Sequence, residues 1–186
     1  PGVGRRCEYE CRAQAKTGVR PQTYPSNQRA WVEFCIDLFT TLLAKPGVRV
    51  GTVDACGAVP AGGYVVLECF PTSIWRAAGL TPLPAKSRTP NLTPYAEQLF
   101  AVFGIPRSRV GSHDDLQATV AALAAAGYVG GPSVASAHGV PAFTVAREGG
   151  DMRVEGLIWD VRPVRIEAPS VVQPDESPAA DDPASP

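Results

Sequence analysis

The chain has 186 residues, about one domain's worth, and its 45% hydrophobic and 19% charged side chains are enough to build a core rather than a disordered chain. No run of about 18 apolar residues occurs, which excludes a membrane-spanning helix, and residues 1–12 lack the apolar core of a secretory signal. The net charge of −1 hides an asymmetry: from Glu167 onward there are five acids and no Lys or Arg, leaving 17 basic against 13 acidic side chains and a body at +4. That balance permits contact with phosphates without demanding it.

Glycine (18) and proline (19) make up one residue in five, with no triplet period, so many turns and an unstructured stretch are expected and collagen is excluded. Five cysteines, at 7, 11, 35, 56 and 69, form an odd set without a secretory signal, which predicts reduced thiols and a cytoplasmic location. Cys7 and Cys11 would share one face of a helix. As half of a zinc site they lack a second pair, so packed thiols are the expectation.

In chain order, Arg5 to Lys16 reads as a short charged helix, and Pro21 to Asn27 as a loop. Trp31, Phe34, Cys35, Leu38, Phe39 and Leu42 fall at helical spacing and predict a helix from Gln28 to Ala44, stopped by Pro46-Gly47. A strand is expected over Val48 to Val53, then a Gly/Pro-rich bend from Cys56 to Gly63. The clearest strand is Tyr64 to Phe70, apolar on both faces and therefore suited to the middle of a sheet covered by helices. Glu68 interrupts it near its C-terminal end. An isolated carboxylate in such a run is costly, so it either forms a structural ion pair or serves as a catalytic or metal-binding group.

Thr72 to Ala78 is expected to be a short helix capped by Thr72, and Leu80 to Pro94 a Pro-rich loop carrying Lys86 and Arg88. Tyr95 to Phe103 is helical up to Gly104. Ser112 is a natural N-cap for a helix whose first turn holds His113, Asp114 and Asp115 and whose alanine-rich body runs from Leu116 to Ala126, ending at Gly127. Val140 to Ala146 and Arg153 to Val161 read as closing strands joined by a turn at Glu148 to Asp151. Residues 1–166 form the domain, and 167–186, rich in Pro, Ala, Asp and Ser, read as a disordered tail.

A carboxylate at a strand tip and an Asp pair opening a helix are the kind of groups that two-metal phosphodiester chemistry gathers, with hard oxygen ligands suited to Mg²⁺ or Mn²⁺. Asp114 and Asp115 have a plain alternative as helix-dipole acids.

Five stretches carry a family likeness in order: Gly4-Arg-Arg-Cys7-Glu-Tyr-Glu-Cys-Arg12, Leu67-Glu-Cys-Phe-Pro71, Ile74-Trp75-Arg76-Ala77, Ser112-His-Asp-Asp-Leu116 and Val154-Glu-Gly-Leu-Ile-Trp159. Over roughly residues 1 to 160 the sequence resembles the domain-of-unknown-function 429 family, predicted ribonuclease H-like nucleases related to Holliday-junction resolvases. The resemblance implies a ribonuclease H-like α/β fold, a mixed sheet flanked by helices. It also implies Glu68, Asp114 and Asp115 as metal ligands. The family's first strands, with their own Asp, normally precede the Gly-Arg-Arg-Cys stretch, so an N-terminally incomplete domain is expected. A family Asp one turn into the last helix reads Gln117 here.

His113 is either a proton shuttle beside these acids or a hydrogen-bonded cap. Lys86 and Arg88 are candidate phosphate contacts on a nucleic-acid partner, or simply solvated. Trp75 has the spacing of a core residue. Neither a G-x-S-x-G elbow nor a phosphate-binding Gly loop is present. Two functions follow: a Mg²⁺-dependent (or Mn²⁺-dependent) nuclease acting on DNA or RNA, or a catalytically inactive ribonuclease H-like module that binds nucleic acid or a protein.

Overall fold

A computed structural model describes residues 5–13, 29–88, 91–146 and 152–162. The expected loop at Pro21 to Asn27, the turn at Glu148 to Asp151 and the tail lie outside the described residues. The molecule is mixed α/β, with a small mixed sheet and helices. Its elements are α1 (Arg6–Glu10), α2 (Arg29–Leu43), β1 (Val48–Val50), β2 (Tyr64–Val66), β3 (Glu68–Cys69), α3 (Pro71–Ala77), α4 (Thr93–Phe103), α5 (His113–Gly130), β4 (Ala135–Val145) and β5 (Met152–Val161). Two 3-10 turns, Lys86–Arg88 and Arg107–Arg109, flank α4. Among the described residues no helix is long and apolar enough to cross a membrane.

Local chemistry explains most boundaries and several departures from expectation. The first helix closes at Glu10, well short of Lys16, because Cys11 caps it and Arg12 turns into left-handed conformation at φ 56°. The 64–70 strand is broken at Leu67 into β2, parallel to β1, and β3, parallel to β5. Thr72 is not a cap: α3 begins at Pro71, whose fixed φ suits the first helical position, and Phe70 precedes it without a side-chain cap. Ser112 does cap α5, its hydroxyl accepting from the Asp115 N–H at 3.1 Å. That helix passes through Gly127 and stops at Gly130, because Gly131 takes φ 95°. A Cβ at position 127 would meet the Val134 carbonyl at 3.1 Å, so this glycine admits close approach of the chain rather than ending the helix. The closing hairpin is longer than expected, running back to Ala135, with an irregularity between Val140 and Phe143 where Pro141 cannot donate to the ladder.

The three-stranded sheet has the order β3-β5-β4, and alternation along β5 divides its side chains between two faces. Trp159 and Val161 belong to the larger core, with Leu116, Val120, Ala124 and Tyr128 of α5 and Ile74 and Trp75 of α3. Tyr128 meets Trp159 edge to face at 4.8 Å between ring centres, and Trp75 meets Tyr95 at 6.0 Å. Such pairs contribute about 0.5–1.5 kcal/mol beyond their buried area. Trp75 also donates to Gln117 Oε1 at 3.3 Å, so Gln117 serves the core. Ile158 faces the other way and packs with Cys7, Cys11, Ala13 and Phe70. Register places Glu68 and His138 on either side of Ile158, so all three share the face covered by α1.

Candidate functional site

Glu68 is the strand-tip carboxylate, and an arginine holds it. Arg5, at the entry to α1, donates from Nη1 to Oε2 of Glu68 at 2.6 Å and from Nη2 to Oε1. The same guanidinium reaches Oε1 of Glu8 through Nε at 3.1 Å, and the Arg5 backbone N–H donates to Oε2 of Glu8 at 3.0 Å. This is the fork-to-fork pairing that a planar guanidinium favours. Burial disfavours the Arg5 charge, yet the hydrogen bonds and charge of Glu68 outweigh it and raise its pKa. Beneath the pair, burial pushes the Cys7 thiol up to about 12 and the Cys69 thiol up to about 11, so both are inert packed groups.

Asp114 and Asp115 sit on α5, the helix that packs on the opposite face of the sheet from Glu68. Lys86 Nζ donates to Oδ2 of Asp114 at 2.8 Å, and that hydrogen bond holds the exposed carboxyl below its usual range. Asp115 accepts from the Gly111 N–H at 3.2 Å. His113, half buried, places Nε2 at 2.9 Å from the Pro84 carbonyl and Nδ1 at 3.7 Å from Oδ1 of Asp114. Lys86, His113 and Asp114 are therefore brought together, whereas Glu68 is engaged elsewhere by Arg5. Arg88 is exposed on the same 3-10 turn as Lys86. Among the described residues no group of three or more His, Cys, Asp or Glu is gathered to hold a metal ion. With both oxygens of Glu68 accepting from Arg5, these carboxylates in this arrangement do not fit a shared Mg²⁺ or Mn²⁺ site.

A second polar centre lies on the α1 face, where sequence reading did not look. Asp160, 1% exposed, accepts at Oδ2 from Ser73 Oγ at 2.5 Å and from His138 Nε2 at 2.8 Å. Its Oδ1 is buried and has no hydrogen-bond partner among the described residues. The hydrogen bond to Asp160 raises the His138 pKa against the opposing effect of burial, with further help from Asp160 and Glu10 charges. Glu10 is held by Arg6 at 2.5 Å and by the Gly139 N–H at 2.6 Å, the arginine contributing most to its lowered pKa. Asp160, Ser73, His138 and Glu10 line a cavity of about 360 Å³ with Arg12 and Arg76 on its wall. Asp160 carries the same signal that singles out Glu68: an acid inside the apolar run Leu157 to Val161. Ser73 and His138 carry none, because only the register of β4 on β5 and the start of α3 bring them to Asp160.

No family model, curated protein or solved structure matches this chain.

Proposed function

We propose that this chain is a ribonuclease H-like module that binds nucleic acid without cutting it. The observation that carries the reading is the Arg5 clamp: the carboxylate that would hold a metal is paired on both oxygens with a guanidinium. The reading is supported at the coarse level by the mixed α/β architecture, in which β3 and β5 run parallel, β4 runs antiparallel to β5, and helices lie on both faces. Contact with phosphate is supported by two basic 3-10 turns, Lys86–Arg88 and Arg107–Arg109, which precede α5 in the chain with Lys86 bonded to its first turn. Lys86, Arg88, Arg107 and Arg109 are all exposed. Cations arranged in this way bind the backbone without reading sequence.

Fluorescence anisotropy with labelled single- and double-stranded oligonucleotides tests the reading. Binding should weaken with salt, and weaken further when Arg88, Arg107 and Arg109 are changed to Ala together. Incubation with Mg²⁺ or Mn²⁺ should leave single-stranded and branched DNA intact. Divalent-dependent cleavage that disappears in Glu68→Gln would overturn it in favour of a nuclease using Glu68, Asp114 and Asp115.

A further inference from the structure

The geometry points to a phosphomonoester-binding site in the cleft between α1, α3 and the β4–β5 hairpin, built on His138, Arg76 and Arg12 and organised by Asp160. It goes beyond the nucleic-acid reading and uses none of its residues. Its charge balance is the first support. Arg12, Arg76 and an imidazole held by a carboxylate face one cavity. Of the two acids there, Glu10 is matched by Arg6, and Asp160 is buried beneath His138. A cationic surplus remains, suited to a dianion rather than to a neutral or cationic ligand.

Pre-organisation is the second. His138 Nε2 is committed to Asp160, so the ring that lines the cavity is oriented before any occupant arrives. Arg76 spends one N–H on the Cys11 carbonyl at 2.6 Å, which anchors the guanidinium while its other donors remain. Ser73 fixes the same Asp160 oxygen from α3, so three elements converge on one carboxylate. A cavity of about 360 Å³ matches the size of small-molecule sites.

Such a phosphate could belong to a free nucleotide or to the 5′ end of an oligonucleotide. Calorimetric titration of the full chain would use a nucleoside 5′-monophosphate against its nucleoside, and a 5′-phosphorylated oligonucleotide against its 5′-hydroxyl twin. Preference for the phosphorylated member of either pair is expected, and which pair shows it identifies the source. Affinity should fall about tenfold or more in Arg76→Gln and in His138→Gln, as for loss of one charge-assisted hydrogen bond. Above about pH 7, where the phosphate is already dianionic, wild-type affinity should decline as pH rises through the raised pKa of His138, which is faced by Asp160, Glu10, Arg12 and Arg76. Arg76 is exposed, so its variant stays informative if His138→Gln misfolds. No preference for phosphate in either pair, or a preference that Arg76→Gln leaves unchanged, would overturn the site. The Arg88/Arg107/Arg109 triple variant separates the two readings, because it should lose oligonucleotide affinity while keeping the monophosphate's.

Discussion

Arg5 and Glu68 stand 63 positions apart and close on each other as a two-pronged ion pair, 2.6 Å at its longer-measured prong. The pair pins α1 to the tip of β3. Since α1 is only five residues long, intrinsic helix formation contributes little, and such contacts hold it in place. The Arg5 side chain is 19% exposed and that of Glu68 33%, so the pair is half shielded from water.

Breaking it from the arginine side should therefore cost more than a surface pair. Arg5→Met strands Glu68 and removes the side-chain donor to the buried Glu8, and we expect a loss of about 2–3 kcal/mol in urea denaturation. Glu68→Gln keeps an acceptor for the guanidinium and should cost less. Equal, negligible losses in both would mean that the pair does not secure α1.

A tight spot under α1 gives a second expectation. Gly139 takes φ 95°, and a Cβ there would lie 2.6 Å from the Cys7 Cβ and 2.7 Å from the Gly156 carbonyl. Gly79, also at positive φ, has nothing within 4 Å of its would-be Cβ. Gly139→Ala should lower stability by more than about 2 kcal/mol, whereas Gly79→Ala bears only the backbone strain, about 1 kcal/mol. Thermal melts of the two variants side by side check this, and similar shifts would show that α1 yields freely.

The Lys86–Asp114 pair, by contrast, should carry almost nothing. Its side chains are 70% and 74% exposed, and water and salt screen the attraction. Lys86→Ala should leave the melting temperature unchanged within error, while Ser112→Ala, which removes the α5 cap, should lower stability by about 1 kcal/mol. A larger effect from Lys86 would assign it a structural role that this geometry does not.

How much of this was readable in the sequence depends on whether the cause was local. The helix at 29–43, the Ser112 cap and the left-handed Gly104 stop follow from spacing and turn chemistry within a few residues. Glu68 stood out because an acid in an apolar run must find a partner, but the run does not say which; Arg5 lies far upstream. Gly127 looked like a helix stop because glycine usually is one, whereas here its missing Cβ admits the Val134 carbonyl. The Ser73–Asp160–His138 centre was invisible because its members come from α3, β5 and β4, and only parallel and antiparallel register sets them together. Nothing in spacing encodes that convergence.

That centre makes stability depend on pH in a definite direction. His138 has a folded-state pKa raised above the ordinary 6.5, chiefly by its hydrogen bond to Asp160. The folded chain thus holds the proton more tightly than the unfolded chain. The resulting stabilisation is fully present below about pH 6.5 and is lost as pH rises through the raised value. His138→Gln removes the titration without removing a donor to Asp160. Denaturation midpoints of wild type and variant at about pH 5.5 and about pH 8.5 isolate the effect, because other titrating groups cancel in the difference. The wild type should lose stability relative to His138→Gln on going to the higher pH. A difference that stays constant, or grows in favour of the wild type, would mean that Asp160 does not hold an imidazolium.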